Sequence, residues 1–397
     1  MPILFLIVFV DLVGFGIVIP LLPFFGEHFG ATPAEVGLLM ATYSLAQFVM
    51  APVFGRLSDR VGRKRVLVVS LAGASAAYVW LGYADSLWML FAARTLAGAM
   101  AGNISAAFAY VADVTTPANR AKGMGLVGAA FGLGFIFGPA IGGILAGADP
   151  AAADYRTPSL VAAGLSAMAM ILAAALLKES LSAEARARQR SLSRPSRRQQ
   201  MRDAVTAPGV GLLIAMSFLA VFVFAGMETT FAMWSRRTFG WGPEQNGYLF
   251  AFVGLLSAAI QGGLVGRMAR RFGETRLIAG GTLVLAAGMV AIPFCTSIPA
   301  LIIAMTGVAI GFSLVSPSLN SAISLRVGAE IQGGIMGVTR SATTLARVLG
   351  PAWAGAIFWI WGKDWPYFVG ALVMAGVLVL ALQVRAGPVA AGHLEKL

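Results

Sequence analysis

Long apolar runs alternate with short polar interruptions along the whole chain. Twelve runs come close to or exceed the roughly 20 residues a helix needs to cross a bilayer. They predict helices over 3–25, 35–54, 66–84, 87–112, 122–147 and 158–177, then over 209–233, 245–265, 277–295, 299–325, 333–360 and 365–385. The runs are rich in Gly and Ala and do not alternate, which favours a helical bundle over a membrane barrel. The rhythm breaks once, over 178–208, where Lys178, Arg186, Arg188, Arg190, Arg194, Arg197, Arg198 and Arg202 crowd into a polar stretch. The expected organisation is an amino-terminal six-helix bundle (1–177), a basic linker (178–208), a carboxy-terminal six-helix bundle (209–385) and a tail (386–397). Part of the linker suits a basic amphipathic helix on the membrane surface. The first run lacks a basic flank and is followed by many others, so it is expected to be a spanning helix and not a cleaved leader.

Composition agrees with an all-α integral membrane protein. Of 397 residues, 58% are hydrophobic and 12% charged, against about 25% charged in soluble domains. The net charge of +12 is placed by topology. Most Lys and Arg fall in the linker and in the loops after even-numbered helices, which the positive-inside rule assigns to the cytoplasm. Both termini are then cytoplasmic, and the chain belongs in a cell's inner membrane among anionic lipids. That placement argues against nucleic acid as a partner. Cys295 is the single cysteine and His28 and His393 form no ligand cluster, so no disulfide and no metal site is expected. No G-x-x-x-x-G-K-[ST] segment and no nucleophile–base set is visible, so neither ATP use nor an enzyme activity is expected.

The most informative polar interruption is Gly55-Arg56-Leu57-Ser58-Asp59-Arg60-Val61-Gly62-Arg63-Lys64-Arg65, a basic, glycine-punctuated turn between helices 2 and 3. It repeats as Gly266-Arg267-Met268-Ala269-Arg270-Arg271-Phe272-Gly273, 211 positions on (266 − 55), with Arg270 where Asp59 stood. Gly350-Pro351 in helix 11 repeats Gly138-Pro139 in helix 5 at nearly the same offset. Such offsets indicate two parallel six-helix repeats.

The residue order of the first loop, Gly55, Leu57, Asp59, Arg60, Gly62, Arg63 and Lys64, resembles the signature loop of the major facilitator superfamily, G-x-L-a-D-r-x-G-r-k. The resemblance implies the major facilitator fold, with 12 transmembrane helices as two six-helix pseudo-repeats and a substrate site near the midplane. Helix 5 carries Gly125, Gly134, Gly138, Pro139, Gly142 and Gly143, a spacing similar to the antiporter motif of drug-efflux members. Glycine there lets a facing helix approach closely and Pro139 bends the helix. Asp11 to Pro23 in helix 1 looks like the corresponding segment of twelve-helix drug:proton antiporters, tetracycline efflux proteins among them.

Embedded charges suggest the chemistry. Asp11 lies eight residues into its span, roughly 12 Å deep, where a carboxylate is costly. It should face a wet cavity, meet a partner or carry a proton, and a carboxyl that exchanges a proton for a substrate is what antiport needs. A structural carboxylate bonded to a neighbouring helix is the alternative. Arg94, Gly98 and Gly102 in helix 4 resemble the family's R-x-x-x-G motif, whose arginine is associated with proton coupling; a packing arginine bound to backbone carbonyls is the plainer reading. Asp113, near the end of helix 4, resembles the acid that joins the signature loop in a cytoplasmic charge cluster, implying an Asp59–Arg63–Asp113 latch formed when the transporter opens outward. In the second half, Glu228 is an acid deep in helix 7, and Arg340 and Arg347 share a face of helix 11, where Arg340 could also snorkel. Two embedded acids against three bases, Arg94 included, make a trap for lipophilic cations a poor fit. A zwitterionic, anionic or metal-chelated substrate fits at least as well. Aromatics such as Phe15, Tyr43, Phe131, Phe135 and Trp353 suit an apolar path or plain packing.

The expectation is therefore a monomeric secondary transporter with no cofactor. Driven by the proton gradient, it would export a small, partly apolar compound by alternating access, with tetracycline-like export as one candidate. Proton-coupled metabolite transport is the alternative within transport. A membrane receptor or scaffold that kept the fold is the alternative outside it.

Overall fold

The computed structural model describes residues 1–181, 202 and 206–383. The tail at 386–397 and most of the linker lie outside the described residues. The described residues are helical and contain no strand. Eleven helical runs among them are long and apolar enough to cross a membrane, and one further helix, Ala329–Trp361, completes the expected twelve.

The amino-terminal half contains α1 (Pro2–Val18), α2 (Leu22–His28), α3 (Pro33–Val61), α4 (Arg63–Gly82), α5 (Leu87–Met100), α6 (Ile104–Val114), α7 (Pro117–Ala146) and α8 (Arg156–Leu176). The carboxy-terminal half contains α9 (Val210–Phe239), α10 (Pro243–Ala259), α11 (Val265–Phe272), α12 (Glu274–Ala291), α13 (Ile298–Leu325), α14 (Ala329–Trp361) and α15 (Trp365–Gln383). Three predicted helices are broken. Helix 1 divides into α1 and α2 at Pro20, whose missing donor interrupts the ladder. Helix 4 divides into α5 and α6 through a 3₁₀ turn at Ala101–Asn103. That turn is held from outside: Gln47 donates to the Ala101 carbonyl (3.2 Å) and Asn103 to the Ser70 hydroxyl (2.8 Å). Helix 8 divides into α10 and α11 through a π turn at Ile260–Leu264, which contains Gly262 and Gly263.

The expected eleven-residue turn at 55–65 is much shorter in the structure. α3 runs on through Val61 and α4 starts at Arg63, so Gly62 alone makes the break. Its φ is +110°, a conformation that only glycine adopts readily. The repeat does the same: Gly273, with φ +81°, separates α11 from α12. Two one-residue hinges 211 positions apart (273 − 62) give the internal repeat a backbone counterpart.

By internal contacts the chain forms two compact units. The first comprises Met1–Ser193, Gly226–Ala258 and Val348–Pro366; the second comprises Arg194–Ala225, Ala259–Arg347 and Tyr367–Leu397. In the first unit, α1 packs against α7 and α8, and α4 against α5 and α8. Leu4, Ile7, Ile17, Leu22, Phe24, Leu39, Leu71 and Leu81 are almost fully buried there. In the second unit, α12 packs along α13 at Gly281, Gly288 and Gly311, where an added Cβ would strike the neighbouring backbone.

Candidate functional site

Three groups of residues carry the candidate chemistry. One lies at the end bearing Gly62. Arg63 is 3% exposed and holds Asp59 (2.5 Å) and Asp113 (3.1 Å), and it also donates to the Ser58 hydroxyl (2.6 Å). Gly55, Asp59 and Lys64 are half-buried around it and Arg60 is exposed. Two partners were not foreseen. The Glu179 carboxylate accepts from the backbone N–H groups of Arg63, Ser180 and Leu181. It thereby caps the first turn of α4, which has no side-chain cap of its own. Ser180 donates to Asp113 (2.9 Å). The start of the linker is thus tied to the charge cluster. A Cβ at Gly62 would run into the Glu179 carboxylate, so Gly62 is required twice, for its φ and for that approach.

The repeat inverts this chemistry. Position 59 corresponds to Arg270 and position 63 to Glu274, so the acid–base order of the pair is reversed. Glu274 accepts from Ser321 (3.1 Å) in α13.

The second group lies at the opposite end of the same helices. Glu27, 11% exposed, pairs with Arg236 (2.9 Å) and Arg237 (3.3 Å), joining α2 of the first repeat to α9 of the second. Burial pushes the neighbouring Tyr155 hydroxyl up to about 12, so it stays neutral beside this triad. Trp234 donates to Asp364 (2.8 Å) and Lys363 to Thr238 (2.8 Å). Here too α7 crosses α10: a Cβ at Gly143 would meet the Pro243 carbonyl, and one at Gly247 the Pro139 carbonyl. α3 crosses α14 in the same way: a Cβ at Gly355 would meet the Pro33 carbonyl, and one at Gly37 the Pro351 carbonyl. The two crossings are one contact used twice, since Gly143 and Gly355, Pro139 and Pro351, Gly37 and Gly247, and Pro33 and Pro243 correspond through the repeat.

The expected antiporter-motif glycines divide by role. Gly134, Gly138 and Gly142 lie one turn apart and meet the α1 backbone from Leu12 to Ile17, and Gly143 faces α10. Gly125 has nothing within 4 Å of an added Cβ; the close approach expected there is absent.

The third group is the embedded charges. Asp11 is half-buried and accepts from Ser166 of α8 (2.8 Å). Arg94 is 2% exposed and lies over the Tyr43 ring at 4.3 Å. Arg94 and Asp11 form no ion pair, and Nε and Nη1 of Arg94 have no acceptor. Glu228 is half-buried in α9. On α14, Arg347 is half-buried and Arg340 is exposed. The Asp59–Arg63–Asp113 trio expected of the latch is assembled entirely within the amino-terminal repeat.

Among the described residues no group of His, Cys, Asp and Glu is arranged to hold a metal ion. The family model of the Major Facilitator Superfamily matches residues 4–351 and 262–395. The class C tetracycline resistance protein of Escherichia coli is 32% identical over 371 residues, covering 91% of each chain. Multidrug resistance protein 2 of Bacillus subtilis is 29% identical, covering 92% of this chain and 90% of that one. The human organic anion transporter MFSD10 (TETRAN) superposes with a TM-score of 0.72 at 26% identity, covering 96% of this chain and 98% of that one. A repeated one-residue hinge, a charge cluster around Arg63 and a match along nearly the whole chain lead to one conclusion: this multi-pass membrane protein belongs to the major facilitator superfamily.

Proposed function

We propose that the chain is a proton-driven antiporter that exports a small amphipathic compound from the cytoplasm by alternating access. The observation that carries the reading is Asp11, a carboxyl embedded in the amino-terminal helices with a single hydroxyl, that of Ser166, as its hydrogen-bond partner. One neutral donor leaves the carboxyl able to take a proton without stranding a buried cation. Coupling between protonation of Asp11 and binding of the compound gives exchange without ATP or any cofactor. The kinship with tetracycline and multidrug resistance proteins supports export of a drug-like compound, tetracycline-like molecules included.

In this reading residues 1–177 and 209–385 are the two moving bundles, joined by the basic linker, in an inner membrane with both termini cytoplasmic. The Gly62 end is cytoplasmic, and the opposite end is the outer gate, shut here by Glu27 and the paired Gly–Pro crossings. Glu228 is the second acid available to the cycle, and Arg340 and Arg347 give one face of α14 a positive character. The protein works as a monomer on a small molecule and protons. Reconstituted Asp11→Asn protein under an imposed pH gradient tests this. Uphill flux should be lost while binding or energy-independent exchange survives. Uphill flux at the wild-type rate would make Asp11 structural and turn attention to Glu228.

A further inference from the structure

Arg94 carries a question that proton coupling through Asp11 leaves open. It is among the largest fully buried side chains of the molecule, a location that guanidinium groups tolerate only when paired. Yet Nε and Nη1 have no acceptor, and no ion pair to Arg94 exists among the described residues. Asp11 is already engaged by Ser166. What Arg94 does have is aromatic. Tyr43 lies flat beneath it at 4.3 Å, and Phe15 of α1 stacks on Tyr43 with centroids 4.9 Å apart. Phe135 of α7 meets Phe15 edge-on at 6.0 Å. Gly98, one turn along α5, lets the Tyr43 backbone press against the helix and fixes Tyr43 under the guanidinium. The tyrosine ring takes up one face of the cation and leaves the two edge nitrogens unused.

We propose that Arg94 receives the anionic group, a carboxylate or enolate, of an aromatic compound carried by this protein. This rests on the export reading and names the substrate class for it. Arginine stays charged at every accessible pH and offers directed donors to planar oxyanions. The half-buried Phe15 and Phe135 supply aromatic surface beside the Arg94–Tyr43 pair for a conjugated ring. A cationic compound would be repelled from the same place. An anion is also what relieves the buried unpaired charge, so its binding energy is concentrated on this one residue.

The test is binding to the purified full-length protein in lipid nanodiscs. The probes are 2-naphthoate, indole-3-acetate and 4-phenylbenzoate, each matched with its primary amide. The proposal expects the acids to bind at least tenfold more tightly than their amides. Arg94→Gln should abolish that preference by weakening the acids and leaving the amides within twofold. Arg94→Lys, which keeps the charge and guards against a folding defect, should retain a reduced preference. Tyr43→Leu should weaken acids and amides alike. A wild-type protein without the preference, or an Arg94→Gln protein that keeps it, overturns the proposal. Flux is scored separately. An Arg94-dependent preference without uphill transport of any compound leaves the site standing and overturns the export reading. Uphill export of the acids undiminished in Arg94→Gln does the reverse.

Discussion

The two ends of the first unit hold charge in opposite ways. At the Gly62 end, Arg63 is nearly sealed from solvent and gathers Asp59, Asp113 and Ser58, while Glu179 caps its backbone. Every member belongs to the amino-terminal repeat or to the first residues after it. At the far end, Glu27 reaches across 209 positions to Arg236, and both arginines are more than one-third exposed. A desolvated network inside one repeat is expensive to break and has no reason to break when the repeats move. A half-exposed ion pair between repeats costs little to break, and the Gly–Pro crossings beside it bring bare backbone surfaces together without locking them. The comparison assigns persistence to one end and reversibility to the other.

The strongest way to break this comparison is Arg63→Gln. It strands two carboxylates in a partly dry cluster, and losing one partner of a buried pair costs about 3 kcal/mol or more. A large drop in thermal stability in detergent should follow, whatever the transport state. Stability near wild type would mean that the cluster is solvated and dispensable. Gly37→Leu comes next. Its side chain would meet the Pro351 carbonyl, and overpacking against backbone costs about 1–3 kcal/mol. That cost falls only on the closed far end, so cysteine accessibility near residues 27 and 237 should rise while Arg63 remains buried. Gly125→Ala, with open space around it, should transport like wild type.

Glu27→Gln removes both far-end ion pairs at once. Exposed pairs contribute about 0–1 kcal/mol each, so stability should hardly move, while high salt, which screens the pair in wild type, should have less effect on the variant's gate. The smallest effect concerns Asp154, in the loop before α8. Hydrogen bonds from the Thr157 side chain and from the backbone of Thr157 and Arg156 hold its carboxyl below the usual carboxylate range. A depressed folded value means stabilisation that is present above the unfolded value, near pH 4, and is lost as pH falls through the folded one. Asp154→Asn should flatten that acid limb slightly and change nothing at neutral pH.

The sequence makes the Gly62 end far easier to read than the far end. Gly55 to Arg65 places an acid, several bases and two glycines in one short segment, and Asp113 follows from the resemblance that segment carries. Twelve spans were legible because membrane burial forces continuous apolar runs. The helix breaks at 101–103 and 260–264 were not, because they depend on side chains such as Gln47 and Asn103 arriving from other helices. Glu27 gave no local signal, since its meaning depends on arginines more than 200 positions away. Glu179 was hidden in the first residues of a segment that looked like linker. The Gly–Pro crossings could have been found by extending the repeat offset from Gly138-Pro139 and Gly350-Pro351 to Gly143 and Gly355. Arg94 was legible as an embedded base, but its unsatisfied nitrogens belong to three-dimensional packing alone.

The central claim is that the far end opens during transport while the Arg63 cluster stays intact. Spin-label distance measurements in nanodiscs test it directly, with one pair at His28 and Gly240 and a second at Arg65 and Val114. On changing pH across the range that drives transport, the 28–240 pair should gain a second, longer distance population while the 65–114 distribution stays single and unshifted. A 65–114 distance that lengthens together with the far end, or a 28–240 distance that never changes under transport conditions, would contradict the account.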